Sequence, residues 1–533
     1  MLKLLRPLFS NFTKNYYFIL IFLAVSLPLS VFTTSLAEIL LILNWIAEGN
    51  FNEKWNRLKS RKTPLIISGL FLIHIIWLIN SADFKFAIHD LQIKLPVLLL
   101  PLVIGSSILI NEKQLRSILL FFSAAVIASS ICSTSVFLGI INYEIYDFRE
   151  ISLFISHIRF ALMVNLSIFC LFYYGFGGDT IPLNRKIRIG LILAALWLSA
   201  FLIVLKSITG IFIFVFLVAV IGWIYSGRIN QVAPKFIVRV LLITIPLIVS
   251  SFITNSISRF YYREEVNLSE LDSLTQYGTP YNNYKDLSWV ENGNYVWLNV
   301  CEEELRAEWN KVSELQYDSL DNMGQDLRFT LIRYLASKGL RKDKEGFSEL
   351  DSIDISAIED GVANYIFLNK YSLYPRVYQI IWEFDSYKRG NNPSGHSVTQ
   401  RLAYLDASWY IVKNNFFFGV GTGDVQKEFN SYYSLSDNPL KKENRRRAHN
   451  QYLTFLITFG IFGFIFSMIA LVLPVFIEKR WTDYLFMCFF IIGILSMLNE
   501  DTLETQTGVS FFMFFYVLLL FGRQKLEELP SSK

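Results

Sequence analysis

Twelve apolar runs decide most of what this chain can fold into. They lie at about 16–29, 32–48, 64–81, 93–110, 117–140, 151–175, 188–205, 208–226, 237–254, 450–477, 483–499 and 508–522. A backbone crossing hydrocarbon must satisfy its own hydrogen bonds, and apolar runs of roughly 18 residues do so as helices. Composition points the same way: 53% hydrophobic and 18% charged residues, with mean hydropathy +0.39, leave too little charge to clothe 533 residues in water. The expected fold is an all-α polytopic membrane protein with about 12 transmembrane helices and one large, mainly helical periplasmic loop between spans 9 and 10. The first two runs are short and flank Pro28, which suits a tight helical pair. Lys3, Arg6 and Lys14 before the first run resemble the start of a signal peptide. A second run follows at once without a small-x-small cleavage site, so the first is expected to be a retained span.

Loop charge orients the runs. The 49–63 loop holds Lys54, Arg57, Lys59, Arg61 and Lys62; 176–187 holds Arg185 and Lys186; 227–236 holds Arg228 and Lys235, with Arg239 just beyond; 478–482 holds Lys479 and Arg480. Twelve spans and a cytoplasmic N-terminus place all four on the cytoplasmic side, as the excess of cations in such loops requires. The opposite loops are acidic, with Glu144, Asp147 and Glu150 in Asn142–Glu150 and Glu500, Asp501 and Glu504 in Asn499–Gly508. The chain then divides into 1–254 (spans 1–9), 255–448 (an outer loop domain) and 449–533 (spans 10–12). This topology puts the outer segment in the periplasm if the cell has two membranes. Within the outer segment, Val300–Glu314, Gln325–Ser337 (closing at Gly339), Pro375–Tyr387 and Val398–Lys413 have helical apolar spacing. Tyr281, Tyr284, Trp289, Tyr295, Trp297 and Trp309 suit lipid headgroups, sugar rings or an ordinary small core.

Several function classes are disfavoured. The cations sit in short loops and not on a stripe, so no nucleic-acid partner is expected. Cys132, Cys170 and Cys488 fall in apolar runs and Cys301 stands alone in the polar segment, so no disulfide is expected there. No Cys-x-x-Cys, no His/Cys cluster at zinc spacing and no Asp-x-Asp group stands out, so neither metal nor cofactor is expected. No internal repeat or matched pair of interrupted spans marks a carrier.

The polar residues at the outer ends of the runs form an ordered set. Arg401 is followed by Trp409, then by the turn Gly419-Val-Gly421-Thr-Gly423. Further on comes Arg445-Arg446-Arg447-Ala-His449-Asn450-Gln-Tyr452-Leu453, entering a span with Gly460 and Gly463. This order, over roughly 400–465, resembles the O-antigen ligase and O-antigen polymerase superfamily. The resemblance implies about twelve spans, a large outer loop and a membrane glycosyltransferase. The donor would be an undecaprenyl-diphosphate-linked glycan within the membrane lipid. The acceptor would be a lipid A–core sugar for a ligase of lipopolysaccharide biosynthesis, another repeat unit for a polymerase, or a protein side chain. Members commonly carry a Ser-Arg pair in the outer turn between spans seven and eight. Here Ile208 follows Ser207, and Lys206 stands in for the arginine.

The chemistry can also be argued from the residues. A lipid diphosphate at headgroup level needs cations at the span ends, and a guanidinium pairs well with phosphate oxygens. An acceptor hydroxyl needs a base that titrates near neutrality, which suits histidine. His449 is therefore the candidate base or acceptor-orienting group, against the plainer role of anchoring a span end. Arg401 is the candidate diphosphate ligand, against a surface salt bridge. Asn450 orients His449 or caps the helix. Arg446 and Arg447 reach the same diphosphate or only lipid headgroups. Tyr452 shares the His449 face at i+3, or is only an aromatic-belt residue. His157 and Arg159 lie near the outer end of span six, where an arginine in an apolar run is costly unless paired or wetted. Glu500, Asp501 and Glu504 either hold an imidazolium, bind sugar hydroxyls or form a solvated acidic loop. Gly419, Gly421 and Gly423 let the backbone approach something closely, and Gly460 and Gly463 permit close helix packing. Rival readings are a flippase or transporter of lipid-linked sugars and a membrane-anchored sensor.

Overall fold

Every one of the twelve apolar runs is a helix in the computed structural model, which describes residues 11–142, 148–178, 181–227, 231–284, 287–369, 371–390, 392–394, 396–435 and 440–524. Lys3 and Arg6, read above as the start of a signal-peptide-like segment, and Glu144, Asp147 and Arg228, used to orient the loops, lie outside the described residues. The first run of helices is α1 (Phe12–Ser26), α2 (Val31–Glu48), α3 (Phe51–Ser60), α4 (Thr63–Ile76), α5 (Phe84–Ile93), α6 (Leu95–Ser106), α7 (Glu112–Phe137), α8 (His157–Gly175), α9 (Arg185–Val204), α10 (Ile208–Ser226) and α11 (Val232–Tyr261). The chain forms two compact units, one of residues 1–239 with 392–533 and one of Val240–Asn391.

The Val240–Asn391 unit carries β1 (Val290–Glu291), β2 (Asn294–Tyr295), α12 (Glu302–Val312), α13 (Leu327–Ser337), α14 (Lys344–Ser348), α15 (Ser352–Glu359) and α16 (Tyr374–Lys388). Asn292 and Gly293, with φ of 50° and 97°, make the tight turn of the β1–β2 hairpin, because both residue types tolerate the left-handed region. Trp309, Tyr317, Leu331, Tyr334 and Leu335 are fully buried around α12 and α13. The aromatic set therefore divides. Trp309 is core, its indole donating to Leu315 O at 2.7 Å, whereas Trp289 remains 52% exposed.

The larger unit continues with α17 (Ser397–Asn414), α18 (Val425–Leu435), α19 (Gln451–Ile477), α20 (Tyr484–Met497) and α21 (Gln506–Leu520). Among the described residues nine helical stretches are long and apolar enough to cross a membrane, and α1, α20 and α21 are shorter apolar helices. α21 is buried from Gly508 to Leu520, as a helix apolar on every side must be when it lies inside a bundle. α9 packs on α8, α4 on α6 and α19, and α21 on α6. At one end the two cation-bearing segments 49–63 and 478–483 meet: Arg61 pairs with Glu478 at 3.3 Å, and Thr63 donates to the same carboxylate at 2.7 Å.

Glycine explains the break in α19. At Gly460 α19 takes φ 62°, ψ −170°, which interrupts its backbone hydrogen bonds. The Phe416–Asp424 segment fills the gap. Val420 N donates to Ile457 O and Gly421 N to Thr458 O, both at 2.9 Å, while Ile461 N donates to Phe416 O at 2.8 Å. A Cβ on Gly460 would stand 2.3 Å from the Phe417 backbone, and one on Gly419 2.5 Å from Gly460 N. Gly419 thus approaches the opened backbone of α19, whereas a Cβ on Gly421 would stand 2.5 Å from Asn80 O and one on Gly423 2.3 Å from Asp83 O. Close packing of helices accounts for Gly463, whose Cβ would meet Trp77 at 3.0 Å, and not for Gly460.

Candidate active site

The start of α19 sets the geometry. Asn450 is its N-cap, the side-chain oxygen accepting from Leu453 N at 3.0 Å. His449 therefore precedes the helix, with φ of 47°, and does not share a helical face with Tyr452. A positive φ at a non-glycine residue needs outside support. Asp501 supplies it: Oδ2 accepts from His449 N at 3.0 Å, and Oδ1 accepts from Asn450 N at 3.1 Å and Thr454 Oγ1 at 2.7 Å. An acid at a helix N-terminus also complements the helix dipole. Burial, reinforced by the nearby Glu504, pushes the Asp501 carboxyl above the usual range despite these donors.

Glu500 joins the two residues of greatest interest. Oε1 accepts from Arg401 Nη2 at 2.8 Å, and Oε2 stands 3.8 Å from His449 Nδ1, an ion-pair distance and too long for a hydrogen bond. Nδ1 is buried and has no hydrogen-bond partner among the described residues. The ring stacks on Tyr404 with centroids 5.5 Å apart, and Tyr404 is fixed by donating to Asn444 O at 2.7 Å. Burial works to raise the Glu500 carboxyl, yet His449, Arg401 and Arg159 outweigh it and hold it below the ordinary glutamate range.

A second carboxylate braces the same turn from below. Lys94, at the junction of α5 and α6, donates to both oxygens of Asp90 at 2.6 Å and to Glu504 Oε2 at 2.8 Å. Glu504 also faces Arg447 Nη1 at 3.4 Å and accepts from Gln451 Nε2 at 3.1 Å. Gln451 in turn accepts from Leu503 N at 2.7 Å. Burial opposes ionisation of Glu504, but the Lys94 and Arg447 charges prevail and bring its carboxyl down to about 2. Asp90, Lys94 and Glu504 are all buried, and buried charges persist only where each has a partner.

The other expected site residues fall as follows. His157 and Arg159 occupy the first turn of α8; Arg159 Nη1 donates to Ser156 Oγ at 3.0 Å, and its charge reaches Glu500. Lys206, with φ of 49°, precedes the cap of α10, where Ser207 Oγ accepts from Gly210 N at 3.3 Å. Asn499 donates to Thr209 Oγ1 at 2.7 Å, tying that turn to the Glu500 turn. Arg446 is exposed, and its charge acts on Tyr404, as does that of Arg401. Asn450 Nδ2 donates to Leu498 O at 2.9 Å, so the residue caps and braces. Tyr452 is turned into the bundle, its hydroxyl donating to Ile494 O at 3.0 Å. His449, Arg401, Arg159 and the Lys206 turn thus gather around Asn499–Glu504, whereas the Tyr452 hydroxyl points elsewhere.

The acidic turn is the part that sequence reasoning left undecided: Glu504 is buried and Glu500 half-buried, both among cations, and the turn is not a solvated loop. Asp90 and Lys94 went unread. Two opposite charges four residues apart beside an apolar run were the available signal.

Fold and site together define a multi-pass membrane protein with a polar, cation-rich site at one end of its helical bundle. Residues 362–468 match the family model described as O-Antigen ligase, a match that supports a likeness to the O-antigen ligase and O-antigen polymerase superfamily. Among curated proteins none matches. The family is one of glycosyltransferase-like enzymes whose partners in general are lipids and lipid-linked glycans.

Proposed function

We propose that this protein transfers a glycan from undecaprenyl diphosphate to an acceptor hydroxyl at the periplasmic face of the bacterial inner membrane, by a single displacement with inversion and without a metal. The observation that carries this reading is the Arg401–Glu500–His449 alignment, in which one carboxylate lies 2.8 Å from a guanidinium and 3.8 Å from an imidazole. A base oriented by a third group is the arrangement that activates a hydroxyl. With Nδ1 turned toward Glu500, the Nε2 side of the His449 ring takes the acceptor proton. The acceptor oxygen then bonds to the anomeric carbon as the bond to the diphosphate breaks. Arg401, with Arg159 and Lys206 from the neighbouring turns, neutralises the departing diphosphate. Arg446 is placed to meet the same group or the surrounding headgroups. Arg447, engaged by Glu504, supports the turn.

Purified protein given a lipid-linked glycan and an acceptor tests this. His449→Ala and Arg401→Ala are expected to lower transfer at least a hundredfold while membrane insertion is unchanged; full activity of both would remove the enzyme reading. Excess chelator is expected to leave transfer intact, and strict dependence on added metal would contradict the cation-only account. The acceptor assigned here is a lipid A–core sugar. Surface glycans of cells lacking the protein check it: long chains unattached to core are expected, and single repeat units would make the protein a polymerase. The gathering of candidates at one end of the bundle supports an enzyme over a carrier, whose site lies near the midplane.

A further inference from the structure

A cleft of about 530 Å³ opens between the start of α5 and the polar side of α18, within the roughly 300–1,000 Å³ of small-ligand sites. α18 is two-sided. Val425, Phe429 and Tyr433, four residues apart, are buried, and the Tyr433 hydroxyl donates to Arg446 O at 2.9 Å. The other side presents Gln426, Asn430 and Ser434 beside Lys427, Ser431 and Leu435, again four apart, and these line the cleft. The start of α5 contributes Asp83 and Phe86. The Arg447 guanidinium stands 5.3 Å from the centre of the Phe86 ring and 3.4 Å from Glu504, so the cleft adjoins the Glu504 end of the acidic turn.

The chemistry of the lining selects among ligands. A merely solvated helix face is commonly set with Lys and Glu pairs, whereas this one carries amides and hydroxyls. Lys427 and Asp83 are the charged groups of the lining, and their charges cancel. Lys427 also faces Asp424 at 3.9 Å, so a phosphate or an anionic headgroup finds no uncompensated cation. Ser431 Oγ donates to Lys427 O at 3.0 Å and Ser434 Oγ to Asn430 O at 2.8 Å, which fixes both hydroxyl oxygens as acceptors. Gln426 Nε2 donates to Asn430 Oδ1 at 3.2 Å, a bond that uses one position of each amide. Donors and acceptors alternating along a wall suit a polyol. Phe86 and the 83% exposed Leu435 add the apolar surface that a sugar's C–H face requires.

We infer that this cleft seats a neutral sugar of the acceptor glycan, with Gln426, Asn430, Ser431 and Ser434 taking its hydroxyls and Phe86 meeting its C–H face. The sugar site rests on the cleft itself. Its assignment to the acceptor rests on the transfer reading above: the candidate diphosphate ligand Arg401 pairs with Glu500, whereas the cleft adjoins Arg447 and Glu504 at the other end of the turn. α18 then couples the bound sugar to the catalytic segment, because its buried side grips the backbone three residues before His449.

The test uses full-length protein in detergent on an array of defined neutral and phosphorylated bacterial oligosaccharides. Wild type is expected to be retained on neutral members, and Asn430→Ala/Ser434→Ala to lose at least tenfold in apparent affinity for them. Both side chains are exposed on α18 and alanine suits a helix, so the double variant is expected to keep its thermal midpoint. Ser431→Trp, which fills the cleft from an exposed position, is expected to lose binding as well, and Lys427→Gln to keep it. His449→Ala is expected to bind the array as wild type does while losing transfer, which separates this site from the catalytic reading. In transfer assays the double variant is expected to raise KM for the acceptor at least fivefold, with kcat and the donor KM close to wild type. Retention of no neutral glycan, equal retention of the double variant, or retention confined to phosphorylated members and lost in Lys427→Gln would overturn the sugar site. A rise in the donor KM in place of the acceptor KM would overturn its assignment to the acceptor.

Discussion

At the residue scale the site is a problem in placing charge. Glu504 sits between Lys94 and Arg447, with its carboxyl at about 2. Its folded value lies below the unfolded value of about 4.3. The stability it contributes is therefore present above pH 4.3 and is lost as pH falls toward 2. Glu504→Gln leaves the buried Lys94 and the half-buried Arg447 one carboxylate short, a loss of roughly 3–5 kcal/mol for a buried pair broken on one side. The variant is expected to melt well below wild type at pH 7, with the gap narrowing as the pH of the melting experiment falls below 4; a gap independent of pH would show that Glu504 is not ionised in the fold. Glu500 is the residue through which Arg401 and His449 are coupled. Glu500→Gln is expected to lower kcat more than KM, because the acceptor site stays formed while the base loses its orienting charge. A loss confined to KM would make Glu500 a binding group only.

At the element scale the break in α19 matters most, since the same helix carries His449 just ahead of its cap. Gly460 has φ of 62° and no room for a Cβ beside Phe417. Gly460→Ala is expected to cost about 1–3 kcal/mol from backbone strain alone, more once Phe416–Asp424 is displaced, and to reduce transfer along with stability. Gly69, in regular α4 with nothing within 4 Å of the place a Cβ would take, is the control; Gly69→Ala is expected to leave the thermal midpoint equal or slightly raised. Equal behaviour of the two alanine variants would mean that the break is not required. The four predicted helices of the polar segment were legible because their apolar spacing is local. The β1–β2 hairpin was not read, although Asn292-Gly293 is the turn signal for it.

At the scale of the whole molecule the order of loops decides which end faces outward. In the arrangement proposed here, residue 320 is outside and residue 55 is cytoplasmic. Leu320 is 60% exposed and Trp55 49%, so each accepts a cysteine without disturbing a core. A membrane-impermeant maleimide is expected to label Leu320→Cys in spheroplasts and Trp55→Cys only after lysis; the reverse pattern would invert the topology.

The apolar runs and the cation-poor and cation-rich loops were determined by the sequence alone, because burying a backbone in lipid is a condition each segment meets by itself. The order Arg401, Gly419-Val-Gly421, His449-Asn450 was likewise visible in one dimension. What belonged to the tertiary structure was partnership. Glu500 reaches Arg401 across 99 residues and Glu504 reaches Lys94 across 410, while Val420 and Gly421 find the carbonyls freed in α19. Such contacts are set by which helices pack together. An acidic turn therefore reads the same in sequence whether it is solvated or buried among cations, and only the packed bundle decided between them.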